Sequence, residues 1–391
     1  MNTNFSSTAQ PTLKLGFIGG GVSAAIGPTH FFASRLDGRW QLVSGCFSRD
    51  YEISLRTAKR WGVSKDRVYP SWEDFIEGEK NQIDAAIVLA PTPDHMKIIL
   101  GLLSSDIPVI CEKPLVASHA EAKLIYEKLV STSGFVAITY NYSGYVMIRE
   151  LRARIQAGEF GRLIKLQFEM PQEGFVRVDP ETGELIKPQE WRLVDGSIPT
   201  ICHDLGAHLH HLSHFLTDKK IHKTAAVFSS HSPHGGVVDD VMAWLEYDDG
   251  MMGSFWMSKS ALGHRNGLKI RVYGTDASAE WFQSEPEEMR LSYKNGTRTI
   301  MDRASSGLVS LHPRYNRYRA GHPSGFIEAF ANLYSDIADA LCLYKEIGKL
   351  DNQYVFGVEH SLRELELFAA IVEANETKQW VHVDPPNDKR T

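Results

Sequence analysis

Apolar positions along the chain fall into two rhythms. Over residues 13–141, short and nearly continuous apolar runs alternate with stretches of helical period. Residues 13–18, 41–47, 83–89, 109–111 and 135–139 read as strands, with a short one near 68–69 between the second and third of these. Runs that are apolar throughout suit strands covered on both faces of a parallel sheet, and the helical stretches between them, near 29–36, 51–61, from 72, after 95 and 118–130, suit crossover connections. After a helix predicted over 143–156 the pattern changes. Residues 163–170, 222–230, 238–247, 251–259 and 268–274 read as strands, some joined by turns such as Asp248-Asp249-Gly250, which favours antiparallel pairing. Helices are expected over 202–214, 325–343 and 356–373. The fold class is α/β: an N-terminal doubly wound parallel sheet over 12–141, then an α+β domain over 142–391 with a large, mostly antiparallel open sheet.

The predicted strand ends carry the chemistry. The first strand runs into Gly19-Gly20-Gly21-Val22-Ser23-Ala24, which fits Gly-x-Gly-x-x-Ala. Glycines there permit a tight turn and bring backbone N–H groups towards a pyrophosphate at a helix N-terminus. Gly27-Pro28 delays that helix. Ser48-Arg49-Asp50 follows the second strand, where a dinucleotide fold reads the ribose. A leading hydroxyl and arginine accommodate a 2′-phosphate and lean towards NADP, with Asp50 as a dissenting carboxylate that keeps NAD open. Val109-Ile110-Cys111 closes on Glu112-Lys113-Pro114, which puts a lysine at the carboxyl edge of the sheet, where α/β proteins bind ligands.

Further along, residues 171–199 form a long loop carrying Trp191 and Arg192, assigned to the mouth of a substrate site. Then Cys202-His203-Asp204-Leu205-Gly206-Ala207-His208 opens a histidine-dense helical stretch in which Asp204 and His208, four apart, share a face. His203 is placed at the site's edge. His210 and His214 are also four apart, but no metalloprotease glutamate or cysteine pair accompanies them, and no metal is expected.

Composition narrows the partners. With 391 residues, 43% hydrophobic, 23% charged and a net charge of -6, the chain lacks the basic excess of a nucleic-acid binder and points to a small-molecule ligand. No stretch of eighteen apolar residues suggests a membrane span. The polar start, 1–11, has no signal-peptide pattern, and four scattered cysteines suit a reducing cytoplasm.

The glycine turn after the first strand, Pro91-Thr92-x-x-His95 after the fourth and Glu112-Lys113-Pro114 after the fifth resemble the Gfo/Idh/MocA family of NAD(P)-dependent oxidoreductases. That family usually shows Thr-Pro-Asn-x-x-His at the fourth strand. Here Ala90 and Thr92 stand in place of the threonine and asparagine, so Pro91 and His95 carry over, while Glu112-Lys113-Pro114 matches unchanged. The resemblance implies a Rossmann N-terminal domain and a sugar, sugar-derivative or polyol substrate. It implies cofactor contacts at Gly19, Gly21, Ala24, Ser48, Arg49, Pro91, Thr92, His95, Glu112 and Lys113. It also implies that the Asp204/His208 pair meets Lys113, with Tyr142, Trp191, Arg192 and His203 around the substrate.

On this reading Lys113 and His208 are the acid/base groups of a hydride transfer from a CH–OH carbon. Asp204 orients the imidazole, and Glu112 holds the lysine ammonium. Two other readings use the same residues: a glycosidase that oxidises a sugar transiently, eliminates and re-reduces it, and a non-catalytic dinucleotide-binding regulator. A homodimer or homotetramer through the open sheet is expected.

Overall fold

A computed structural model describes residues 11–383. The expected N-terminal tail lies outside them, apart from its last residue. The chain divides into two compact units. One comprises residues up to Glu112 with Ile125–Thr139 and Phe330–Gly357, and the other comprises Lys113–Leu124, Tyr140–Ala329 and residues from Val358.

The first unit contains β1 (Leu13–Gly19), α1 (Gly27–Arg35), β2 (Trp40–Cys46), α2 (Tyr51–Trp61), α3 (Trp72–Glu79), β3 (Ala85–Leu89), α4 (Thr92–Ser104), β4 (Val109–Cys111), the second half of α5 (His119–Thr132) and β5 (Val136–Ile138). The strands form one parallel sheet in the order β2-β1-β3-β4-β5. Every residue of β3 and β4 is buried, which is why their sequences are apolar without alternation. Local signals set the helix ends: Asp50 caps α2 by accepting from the Glu52 N–H, Gly62 closes it at φ +75°, and Ser71 caps α3.

The first unit differs from expectation in two places. Residues 68–69 form no strand; Val68 makes a single bridge to Gly45, and Pro70 then removes the next ladder donor before Ser71 starts α3. The segments expected after the fourth and fifth strands therefore follow β3 and β4. Helix α1 starts at Gly27, two residues early, because Pro28 is tolerated in a first turn where its missing N–H has no partner to lose.

The second unit is built on α6 (Val146–Gln156), β6 (Leu163–Pro171), α7 (Ala207–Thr217), β7 (Ile221–Ser229), β8 (Asp240–Tyr247), β9 (Met252–Ser258), β10 (Lys269–Gly274), β11 (Ala277–Phe282), β12 (Glu288–Tyr293) and β13 (Arg298–Asp302). The start of α8 (Phe326–Ile347), α9 (Val358–Thr377) and β14 (Val381–His382) complete it. The strands make a nine-stranded sheet, order β13-β12-β11-β10-β6-β9-β8-β7-β14. All its pairings are antiparallel except β6 with β9. Leu166, Phe168, Val241, Phe255, Met257 and Ile270 face the core, and the alternate positions face outward. Strands β11 to β14 were not expected. Their alternation is legible in Ala277-Ser278-Ala279-Glu280-Trp281, but each is short and bounded by polar turns.

Candidate functional site

The glycine turn lies at the carboxyl end of β1. Gly19 and Gly20 adopt φ of +84° and +70°, and a Cβ on Gly27 would stand 1.8 Å from the Gly20 carbonyl oxygen. The start of α1 thus packs directly on the turn, at a distance only glycine permits. Gly21 N–H donates to Phe47 O (3.0 Å) and Ala24 N–H to Gly21 O (2.8 Å), which fixes the loop. Helix α1 has no side-chain cap and no acidic residue in its first turn, so its orphan N–H groups and dipole suit an anion. These features fit a dinucleotide pyrophosphate.

The remaining expected cofactor residues are committed to the chain in different ways. The Ser48 hydroxyl accepts from Asp50 N–H (3.1 Å), and Arg49 forms an exposed ion pair with Asp94 (2.8 Å). Pro91 and Thr92 begin α4. His95 is buried, its Nε2 bonded to Ala90 O (2.8 Å) and its Nδ1 near the Cys111 thiol (3.5 Å), so it braces the loop after β3. The Glu112 carboxylate accepts from the Thr139 hydroxyl (2.6 Å) and lies 3.3 Å from His30 Nε2.

In the second unit the chain gathers three cations around one carboxylate. Lys113 Nζ donates to the Asp204 carbonyl (2.8 Å) and to Oδ1 (3.4 Å). Its ammonium is therefore held by Asp204. Lys259 Nζ donates to Asp204 Oδ2 (2.5 Å) and to Gln172 Oε1 (2.8 Å), and Arg192 Nε lies 3.4 Å from Oδ2. Burial alone would raise the Asp204 carboxyl, but Lys259, Lys113 and Arg192, in that order, outweigh it and hold the group well below the usual carboxylate range. Burial in turn lowers the Lys259 ammonium, with Asp204 opposing.

The backbone makes this clamp possible. Residues Cys202–Gly206 form a π-helical turn before α7, and a Cβ on Gly206 would meet Phe368 at 2.9 Å and Met257 Sδ at 3.0 Å. A wide turn pressed onto its neighbours aims both the carbonyl and the carboxylate of Asp204 at the lysines. It commits the Asp204 side chain chiefly to the lysines. Both its carboxylate oxygens are engaged by cations, and it makes no hydrogen bond to His208.

His208 is buried with its ring edge-on to Tyr142 (centroids 4.5 Å apart), and its Nδ1 has no hydrogen-bond partner among the described residues. Burial first, then Lys113, holds the imidazole well below its ordinary value, so it is neutral. The Tyr142 hydroxyl accepts from Asn266 Nδ2 (2.9 Å), and burial raises the phenol. Trp191 is half exposed, bonded to Gln189 and stacked under Arg192, at the outer edge of this cluster. Lys259 and Gln172 were not singled out from sequence. They follow Ser258 and Pro171, which face each other across the parallel β6–β9 pair, so only that pairing reveals them as neighbours.

His203 is buried beside Phe368, its Nδ1 unpartnered among the described residues. Burial, then Lys113, lowers it to about 4, with Asp195 opposing. An unfolded histidine titrates near 6.5, so from about 6.5 down to 4 the unfolded chain binds one more proton than the folded one. The His203 contribution is complete above the unfolded value and is lost as pH falls, at roughly 1.4 kcal/mol per pH unit. In urea unfolding at pH 7 and pH 5, His203→Gln is expected to reduce the acid loss of stability by about one proton's slope. An unchanged slope would show that His203 takes up its proton alike in the folded and unfolded chain.

Residues 13–140 match the family model described as the oxidoreductase family with an NAD-binding Rossmann fold, and residues 148–280 match the GFO/IDH/MocA C-terminal domain. The chain belongs to the Gfo/Idh/MocA family. It is an oxidoreductase with an NAD-binding Rossmann domain. It is similar to the uncharacterized oxidoreductase YfiI of Bacillus subtilis (strain 168), 30% identical over 343 residues that cover 84% of this chain and 85% of that protein. A levoglucosan dehydrogenase of Pseudarthrobacter phenanthrenivorans is 22% identical over 280 residues, 64% of this chain and 68% of that one. Among solved structures, an inositol dehydrogenase homolog from Azotobacter vinelandii, complexed with NADH and myo-inositol, matches with a TM-score of 0.85 at 26% identity, covering 96% of this chain and 98% of that one.

Proposed function

We propose that this Gfo/Idh/MocA oxidoreductase is an NAD-dependent dehydrogenase of a sugar or polyol CH–OH group. The observation that carries the reading is the juxtaposition of an ammonium, Lys113, fixed on Asp204, with a buried neutral imidazole, His208, whose Nδ1 is unpartnered among the described residues. The glycine turn and the α1 N-terminus would hold the cofactor, which when bound accepts the hydride from the carbinol carbon. His208 takes the hydroxyl proton. Lys113 stabilises the charge that grows on the substrate oxygen, while Lys259 and Arg192 keep Asp204 ionised so that it holds Lys113 in place. Similarity to proteins described as inositol and levoglucosan dehydrogenases supports the substrate class.

NAD is proposed over NADP because Asp94 already neutralises Arg49, the guanidinium a 2′-phosphate would need. The four free cysteines support a reducing cytoplasm as its setting. The test is binding of NAD and NADP to the purified protein, followed by absorbance of the reduced nicotinamide as polyols, sugars and glycosides are added. Preferential NAD binding with rising absorbance, abolished in Lys113→Ala, is expected. Turnover that survives Lys113→Ala would sink the assignment, and aglycone release without net reduction would replace it with redox-cycling hydrolysis.

The same unit is proposed to self-associate through the outer face of its sheet. Val227, Met242 and Trp256 form a cross-strand row there, beside Trp244 and Met252, which are 45% and 37% exposed. Charges of both signs, Arg271 with Glu169 and Glu280, lie on the adjoining strands, as a self-complementary two-fold contact requires. Trp244→Glu is expected to shift the light-scattering mass from an oligomer to one chain. A wild-type protein that is already monomeric would refute the contact.

A further inference from the structure

We propose that His210, His360 and Glu364 form a binding site for one divalent cation of the zinc class, separate from the Lys113/Asp204/His208 cluster. His210 lies on α7. His360 and Glu364 lie on α9, four residues apart and so on one face. One ligand atom from each falls within 4.8 Å of the other two, and all three residues are buried.

Two unmet atoms point to a missing partner. His210 Nδ1 and Glu364 Oε1 are buried without a hydrogen-bond partner among the described residues, a costly state for polar groups. The second carboxylate oxygen, Oε2, accepts from the Tyr140 hydroxyl (3.0 Å), and Tyr140 stacks on His211 with centroids 4.3 Å apart. Glu364 is therefore held through Oε2 while Oε1 has no hydrogen-bond partner among the described residues. Metal-ligating carboxylates are commonly held in this way.

Two imidazoles and one carboxylate are a zinc donor set that leaves a fourth position for water. Ligands about 2.1 Å from a tetrahedral ion stand about 3.4 Å apart, so the three groups must close in by up to about 0.8 Å each. A partly open pocket of about 220 Å³ reaches His210 and is also lined by His214, Lys219, Arg363 and Glu366. An ion there would clamp α7 to α9 two residues along α7 from His208.

The test uses the full chain in a His222→Ala background, because His222 and His382 pair elsewhere in this unit with ring centroids 4.8 Å apart and could bind metal themselves. Protein stripped with chelator is dialysed against Zn²⁺ and its metal content measured, and Co²⁺ is then used to read the visible ligand-field bands. One tightly held equivalent is expected, with tetrahedral Co²⁺ bands and affinity reduced at least tenfold in both His360→Gln and Glu364→Gln. Glu364→Gln preserves side-chain volume and is the arbiter if the histidine variant does not fold. No bound equivalent, or one retained at equal affinity in folded Glu364→Gln, would overturn the site.

Discussion

Replacing His208 with asparagine is expected to lower kcat by about 10²–10⁴ while leaving NADH affinity unchanged. The imidazole is buried against Tyr142 and presents a nitrogen with no partner among the described residues, so its proposed task is to move a proton in the transition state. Asparagine keeps the polarity and nearly the size but cannot take a proton near neutral pH. Turnover is read at the reduced-nicotinamide band under saturating polyol, and NADH affinity by fluorescence titration. A loss confined to KM would mean that His208 only binds substrate. A parallel loss of cofactor affinity would assign it to the wrong site.

Lys259→Met should have the largest effect on stability. Lys259 is the strongest of the cations that keep Asp204 ionised, and both side chains are buried. Methionine fills the space and leaves the carboxylate without its main counter-charge; breaking a buried pair from one side typically costs about 3–5 kcal/mol. Asp204→Asn in the same chain removes the uncompensated charge, so the double variant should be more stable than Lys259→Met alone. Denaturant unfolding followed by circular dichroism provides the comparison. If the two substitutions are simply additive, the lysine and the aspartate are not coupled as the geometry requires. Lys259→Met should also depress turnover, since Asp204 holds Lys113.

Lys259 also shows where sequence reading stops. Its neighbourhood, Met257-Ser258-Lys259, reads as an ordinary strand end, and Gln172 follows another strand some ninety residues earlier. They become neighbours because β6 and β9 run parallel with Pro171 opposite Ser258. No local pattern encodes that choice, since each strand has the same period-2 alternation whichever neighbour it takes. The π-turn at Cys202–Gly206 is hidden for the same reason: four-residue spacing predicted an Asp204–His208 face, but packing of Gly206 against Phe368 and Met257 widened the turn and gave Asp204 to the lysines. The buried set of His210, His360 and Glu364 joins helices about 150 residues apart.

What the sequence determined by itself was local. Continuous apolar runs marked β1 to β5 as buried parallel strands, the glycine run Gly19-Gly20-Gly21 placed the turn after β1, and Glu112-Lys113-Pro114 put a lysine at a sheet edge. These follow from steric limits and burial that each segment carries with it. The tertiary structure alone decided strand partners, the counter-ions of Asp204 and the company of each buried histidine, because those energies depend on which distant segments exclude water together.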